Sequence, residues 1–364
     1  MWHYLIAAIL WGMAAAPLAA EPAVVHVYNW NDYIADDTLP RFQEASGIKT
    51  VYDVYDSNDV LEARLLAGKS GFDLVFPTAR PNAARQIKAG LYRPLDKAKL
   101  VNLGNVDPEI LATLADVDPG HRHLVPYMWG TTGLGINVEK VRAALGDAAA
   151  ATPSWGLLFE PANAERLAPC GISILDDPND GLAAMLTWLG RDPNSSEPND
   201  LDAARAAYAR IRKHVRYFHS SKYINDLAGG NLCVAHGYSG DIIQARERAR
   251  AAKAPREIAY LLPREGAVLW TDVMAIPADA PHPDNAHKLI DFLLRPEIVA
   301  KVSNAIRYAN ANAAATALVD ARVRDDPSVY PPNDVRARLF ALREMDNDER
   351  RRLTRQWTRI KSGQ

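Results

Sequence analysis

The sequence predicts an α/β fold divided into two lobes, and three observations carry that reading. Short β-branched segments alternate with amphipathic helical segments, the mark of strands crossed over by helices. The alternation breaks near residue 134 and resumes as a second set. A chain of 364 residues is also long enough for two domains that each bury a core. The composition is ordinary for a globular protein, 48% hydrophobic and 24% charged, with a net charge of −2. That balance gives no electrostatic reason to expect nucleic acid or an anionic membrane as partner.

Residues 1–20 contain no Asp, Glu, Lys or Arg, are apolar from Tyr4 to Ala16, and end in Ala19-Ala20 before Glu21. They predict a secretory signal peptide cleaved near Ala20, with an uncleaved signal anchor as the alternative. No later segment is long and apolar enough to span a bilayer, so a soluble, exported protein is expected. Val24–Tyr28 reads as a strand ending in a Trp30–Tyr33 turn, followed by a helix around Leu39–Ala45 that stops at Gly47. A strand at Lys49–Tyr55, a helix at Asn58–Ala67 and a short strand at Phe72–Pro77 complete a parallel unit. In such sheets ligands sit beyond the carboxyl ends of the strands, where Trp30–Tyr33 and Thr78–Arg80 fall.

The second unit follows Pro126–Asn137. It runs through a strand at Gly171–Leu175, helices at Pro178–Gly190 and Ala203–Lys213, a strand at Leu232–Gly237 and a basic helix from Ile242 to Lys253. Ile258–Leu262 and the apolar run around Asp272 return to the first pattern. The expected division is therefore 21–134 with 262–364 in lobe 1 and 135–261 in lobe 2, joined by two crossings and hinged around a cleft. Gly133-Leu134-Gly135 is read as close backbone approach at a crossing. Glu349–Ile360 has Leu353, Trp357 and Ile360 at helical spacing, so it is expected to pack on a lobe. Cys170 and Cys233 are the two cysteines, and in an exported protein they fit one disulfide; two buried free thiols are the alternative. The nine histidines show no ligand spacing and no CxxC is present, so no metal is expected.

The chemistry lies in carboxylates set among aromatic rings. Asp272 interrupts the apolar run Val268–Pro277, where an ionised side chain costs several kcal/mol unless a cation or strong donors meet it. Asp32 sits between Trp30 and Tyr33, and Asp241 follows Tyr238. Acids interleaved with rings describe a pocket for an organic cation, with rings against methylenes and carboxylates against ammonium heads. Each residue has a plainer reading. Asp272 would then pair with an arginine, Asp32 would be a turn residue, Asp241, Asp177 and Asp180 would cap helices, and the rings would be core.

At this point several motifs become recognisable together. Tyr28-Asn29-Trp30-Asn31-Asp32-Tyr33-Ile34, Tyr52-Asp53-Val54-Tyr55-Asp56-Ser57-Asn58 and the run from Tyr217 to Leu227 resemble the periplasmic polyamine-binding proteins of ABC transporters. So do Tyr308-Ala309-Asn310-Ala311-Asn312, Tyr330-Pro331-Pro332 and Asp334-Val335-Arg336-Ala337. The resemblance implies a two-lobed type II periplasmic binding protein with a hinged cleft. It also implies a putrescine- or spermidine-binding receptor that delivers ligand to a permease in the inner membrane, as a monomer without cofactor or catalytic residues. By the same resemblance Trp30, Asn31, Asp32 and Thr78 line the first-lobe side, with Asp180, Tyr238 and Asp241 opposite. Trp270, Asp272 and Tyr308 close the pocket, and Asp177 is an added acid suited to a third amine. Arg80 and Asn31 depart from the pattern, Arg80 standing where a small or aromatic residue is usual. A periplasmic sensor with the same pocket, a carboxylate-pair hydrolase such as a glycosidase and an Fe³⁺-binding relative remain as competing readings.

Overall fold

The structure, a computed structural model, describes residues 23–252 and 256–364; the expected signal peptide and the last residue of the expected basic helix, Lys253, lie outside them. The strands in chain order are β1 (Val24–Trp30), β2 (Lys49–Tyr55), β3 (Leu74–Val75), β4 (Leu124–Asn137) and β5 (Ile172–Ile174). They continue with β6 (Tyr217–Phe218), β7 (Val234–Tyr238), β8 (Ile258–Leu261), β9 (Ala267–Ala275), β10 (Ala309–Asn310) and β11 (Leu339–Phe340). In β1 the alternation Val25, Val27, Asn29 is buried while its neighbours are half-buried, so one face of the strand enters the core. β1 pairs in parallel with β2 on one side and β3 on the other.

The sheet is mixed, which corrects the expectation of a parallel one. β9 runs antiparallel to β3 and to β4, because β4 leaves the first lobe and β9 returns to it in the opposite direction. β4 is 14 residues long, about 46 Å at the usual rise of a strand. Its first part, Leu124–Thr131, pairs with β9; Thr132–Ile136 pairs with β7 and Leu134–Asn137 with β8, so one strand serves both lobes. Gly133 sits at this crossing, where a Cβ would come within 2.7 Å of the Tyr260 hydroxyl and the Leu261 carbonyl. In the second lobe β7 and β6 flank β5 in parallel.

Each lobe has its own core. Val25, Leu74, Met128, Ile276 and Leu289 belong to the first, and Ile136, Ile172, Met185, Val234 and Trp155 to the second. The C-terminal segment makes a third crossing that the division into 262–364 as lobe 1 did not foresee. β11 pairs with the start of β9, and the helix Asn347–Ser362 then packs on the second-lobe helices Pro178–Trp188 and Pro198–Ile211. Its Leu353, Trp357 and Ile360 are buried there, with Trp357 edge-on to Tyr208 and Phe218. Arg350 on this helix reaches back to Glu62 of the first lobe at 3.2 Å. Cys170 and Cys233 form a disulfide within the second lobe, with Cα atoms 5.5 Å apart.

Candidate ligand-binding cleft

A cleft opens between the lobes, partly to solvent, and strand ends and helix starts from both sides supply its walls. Trp30 ends β1; its indole N–H donates to the Phe76 carbonyl at 2.7 Å and its ring tilts against Tyr55, which fixes the plane it presents. Asn31 follows it in the lining. Thr78 lies just beyond β3, held by reciprocal bonds to the Asn58 amide at 3.2 Å, and bridges backbone to backbone with Asp272. From the second lobe, Asp177 caps the helix Pro178–Trp188, accepting the N–H groups of Asn179 at 2.7 Å and Asp180 at 3.2 Å. Asp180 in the first turn accepts the Thr132 hydroxyl at 2.6 Å.

Tyr238 ends β7, and Asp241 lies in the first turn of the helix Ser239–Ala251. The Asp241 carboxylate accepts hydroxyls from Tyr223 and Tyr308, each at 2.7 Å, and its backbone N–H donates back to Tyr308 at 3.1 Å. Gly240 permits this contact: a Cβ there would meet the Tyr308 ring at 2.5 Å. Tyr308 follows a first-lobe helix, so the bond also ties the lobes. Trp270 stands edge-on to both Tyr238 and Tyr308, with ring centroids 5.8 Å and 5.3 Å away. Two residues on, Asp272 is 4% exposed at the centre of the floor.

The electrostatics of these acids share one cause. Burial pushes Asp272 up to about 7; the hydroxyls of Thr78 and Tyr33 oppose the rise and the charge of Asp241 adds to it. Burial likewise pushes Asp241 up to about 6, against its two tyrosine hydroxyls. Asp180 and Asp177 are both raised, first by burial; the charge of Asp177 adds to the rise of Asp180. Among the described residues, none of these four forms an ion pair with a Lys, Arg or His. The Asp272 Oδ1 and Trp270 Nε1 atoms are buried with no hydrogen-bond partner among the described residues. Buried polar atoms are nearly always paired, so such orphans at one site point to a ligand.

Two candidates stand apart from this group. Asp32 does not line the cavity. It adopts a left-handed backbone with φ of 52°, which an aspartate tolerates in a turn, and its Oδ1 lies 3.2 Å from the Arg248 guanidinium of the opposite lobe. Arg80 reaches the lining, but its guanidinium is turned to the first lobe, donating to the Thr113 carbonyl at 2.9 Å and pairing with Asp116. The lining also contains Tyr33, one of the rings that flank Asp32 in sequence, and Tyr55, Asp56, Asn58, Ser220, Ser221 and Leu342, which the sequence reading does not mark as site residues. The motifs Tyr52–Asn58 and Tyr217–Leu227 held the signal for most of them. Leu342 had none, because it arrives on the third crossing.

Comparison with known proteins decides the class. The bacterial extracellular solute-binding protein family matches residues 39–331, most of the chain. The chain belongs to this family. It is 49% identical over 360 residues to the putrescine-binding periplasmic protein PotF of Escherichia coli, covering 99% of this chain and 97% of the relative. It is 50% identical over 351 residues to the putrescine-binding periplasmic protein SpuD of Pseudomonas aeruginosa, covering 96% and 95%. A solved ABC transporter structure from Listeria monocytogenes superposes with a TM-score of 0.83 at 27% identity, over 94% of this chain and 100% of that one. The substrate-binding protein PotD of Streptococcus pneumoniae gives a TM-score of 0.74 over 93% and 99%, and at 24% identity it speaks to the fold alone. The fold is that of the two-lobed type II periplasmic solute-binding proteins, and these relatives are binding proteins of the periplasm.

Proposed function

We propose that this chain is the periplasmic receptor of an ABC transporter and that its ligand is a polyamine, putrescine first and spermidine second. One observation carries the reading: the carboxylates of Asp272, Asp241 and Asp180 are buried together beside aromatic rings and, among the described residues, none of them forms an ion pair with a cationic side chain. A chain with an ammonium at each end supplies the missing charge. Its heads meet Asp272 with Asp241 at one end and Asp180 at the other, Asp177 is left for the further amine of a triamine, and the methylenes lie along Trp30, Tyr238, Trp270 and Tyr308. The names of the relatives support putrescine in particular.

Magnitudes favour this division of labour. Two unit charges about 4 Å apart attract by roughly 4 kcal/mol at an effective dielectric of 20. Cation–π contacts contribute about 0.5–2 kcal/mol each. Desolvating two ammonium groups offsets much of the sum, so both ends must be met. Closure forms bonds between the lobes that do not touch ligand: Gln244 to the Ile306 carbonyl at 3.0 Å, Arg246 to Asp326 at 2.7 Å and Arg248 to Asp32. The closed form is what a membrane permease reads. The receptor acts as a monomer without a cofactor, is exported through residues 1–20 and is released near Ala20. Calorimetry against putrescine, cadaverine, spermidine, spermine and agmatine tests the ligand class. Binding of a diamine is expected, and no heat from any of them up to millimolar concentration refutes the proposal.

A further inference from the structure

Away from the cleft, the fold gathers His26, Asp73 and His282, residues separated in sequence by 47 and 209 positions. Asp73 enters β3 with no exposed surface, so its carboxylate is desolvated. Its Oδ2 accepts the backbone N–H of His26 at 2.8 Å and its Oδ1 that of His282 at 2.5 Å. These bonds hold the carboxylate still without neutralising it. Two imidazoles stand beside it. The Nδ1 atom of His282 lies 3.1 Å from Oδ2, and the rings of His26 and His282 stack with centroids 5.9 Å apart and planes 17° from parallel. One ligand atom from each of the three residues falls within 4.8 Å of the other two, and both imidazoles keep access to solvent.

We propose that His26, Asp73 and His282 form a binding site for a divalent transition-metal ion of the zinc class. Two imidazoles and a carboxylate suit Zn²⁺ or its neighbours Ni²⁺ and Cu²⁺ better than Mg²⁺ or Ca²⁺, which favour all-oxygen sites. A tetrahedral ion with bonds of about 2.0–2.1 Å holds its ligands about 3.4 Å apart. The His282–Asp73 pair is already at that spacing, and the third ligand closes by rotation of the half-buried His26 ring. The backbone N–H bonds to Asp73 are the outer contacts that orient a metal ligand. The fourth position is open to water.

An ion here clips the beginning of the first strand to the start of the helix Pro283–Leu293, since His282 is the residue before that helix. The site is distinct from the cleft. His26 lies four residues before Trp30 on β1, about 13 Å along the strand and toward its other end.

The test uses untagged protein, stripped with EDTA and titrated with ZnCl₂, NiCl₂ and MgCl₂ by calorimetry. One equivalent of Zn²⁺ is expected with a dissociation constant of roughly 10 µM or tighter, and no Mg²⁺ up to millimolar. His26→Ala and His282→Asn should each weaken Zn²⁺ at least about tenfold while leaving putrescine affinity unchanged. Saturating Zn²⁺ should raise the melting temperature of the parent protein by about 2 °C or more and leave the double variant unmoved. Because Asp73→Asn threatens folding, the two histidine variants carry the decision. Failure of the parent to bind Zn²⁺ at 100 µM (roughly ten times the expected constant) would leave the cluster a hydrogen-bonded staple only. Equal binding by the double variant would place the ion elsewhere. Either result overturns the site.

Discussion

On the floor of the cleft, Asp272, Asp241 and Asp180 are buried among hydroxyls and other carboxylates and form no ion pair among the described residues, although the charge of Arg248 acts on Asp241. At the rim, Asp32 pairs with Arg248 and Asp116 with Arg80, all in contact with water. The contrast separates two jobs that look identical in sequence. A rim acid that already holds an arginine has little left to offer a cation, and its pair acts between or within lobes. A floor acid without a counterion leaves the unliganded protein with an electrostatic debt that a ligand relieves. Burial without a partner, rather than nearness to a ring, marks the ligand site.

The largest effect should come from the floor. Asp272→Asn removes the carboxylate and leaves an ammonium in a desolvated site. We expect a loss of about 2–4 kcal/mol, or roughly 30- to 1000-fold in putrescine affinity by calorimetry. The same variant should melt higher than the parent without ligand, because it deletes an uncompensated charge. An unchanged affinity would erase the distinction between floor and rim.

Acidification comes next. Putrescine binds the ionised acids, so a fall in pH from 7.5 to 5.5, across the values of about 7 for Asp272 and about 6 for Asp241, should weaken binding roughly tenfold or more. Stability without ligand moves the other way. Between the unfolded carboxyl value of about 3.9 and the raised native value, the folded state binds more protons than the unfolded one. Stability therefore rises as pH falls through that window, and Asp272→Asn should flatten the slope.

Asp177 sits between the two regions, half-buried and already serving as a helix cap. Asp177→Asn should weaken spermidine several-fold more than putrescine, since only the triamine offers a further ammonium; equal losses would confine it to its capping role. The smallest effects belong to the rim. Asp32→Asn and Arg248→Gln should each cost at most about 1 kcal/mol in affinity, expressed in the off-rate. The double variant should cost no more than either alone, and additive losses would show that the two residues do not act as a pair.

Much of this was readable in the chain for identifiable reasons. Asp272 stood out because a charge in an apolar run has few benign explanations, and the two lobes followed from strands alternating with helices on either side of β4. The pairing of Asp32 with Arg248 was not legible, because the two lie 216 positions apart, a distance no local pattern spans. The mixed sheet escaped notice because strand direction is set by the crossings, which β4 and β9 make without a change in residue type. Tyr33 and Tyr55 look like any core aromatic, and their place in the cleft depends on how β1 and β2 end. His26, Asp73 and His282 have no spacing in sequence at all and meet only in the folded sheet.

The central claim is that ligand charge at both ends balances the buried acids, and shape-matched ligands of decreasing charge test it most directly. Calorimetry with putrescine, butylamine and 1,4-butanediol at pH 7.5 should show strong binding of the diamine, a large loss for the monoamine and no detectable heat from the diol. Comparable affinity for all three would mean that the rings alone hold the ligand and that the carboxylates of the floor have another purpose.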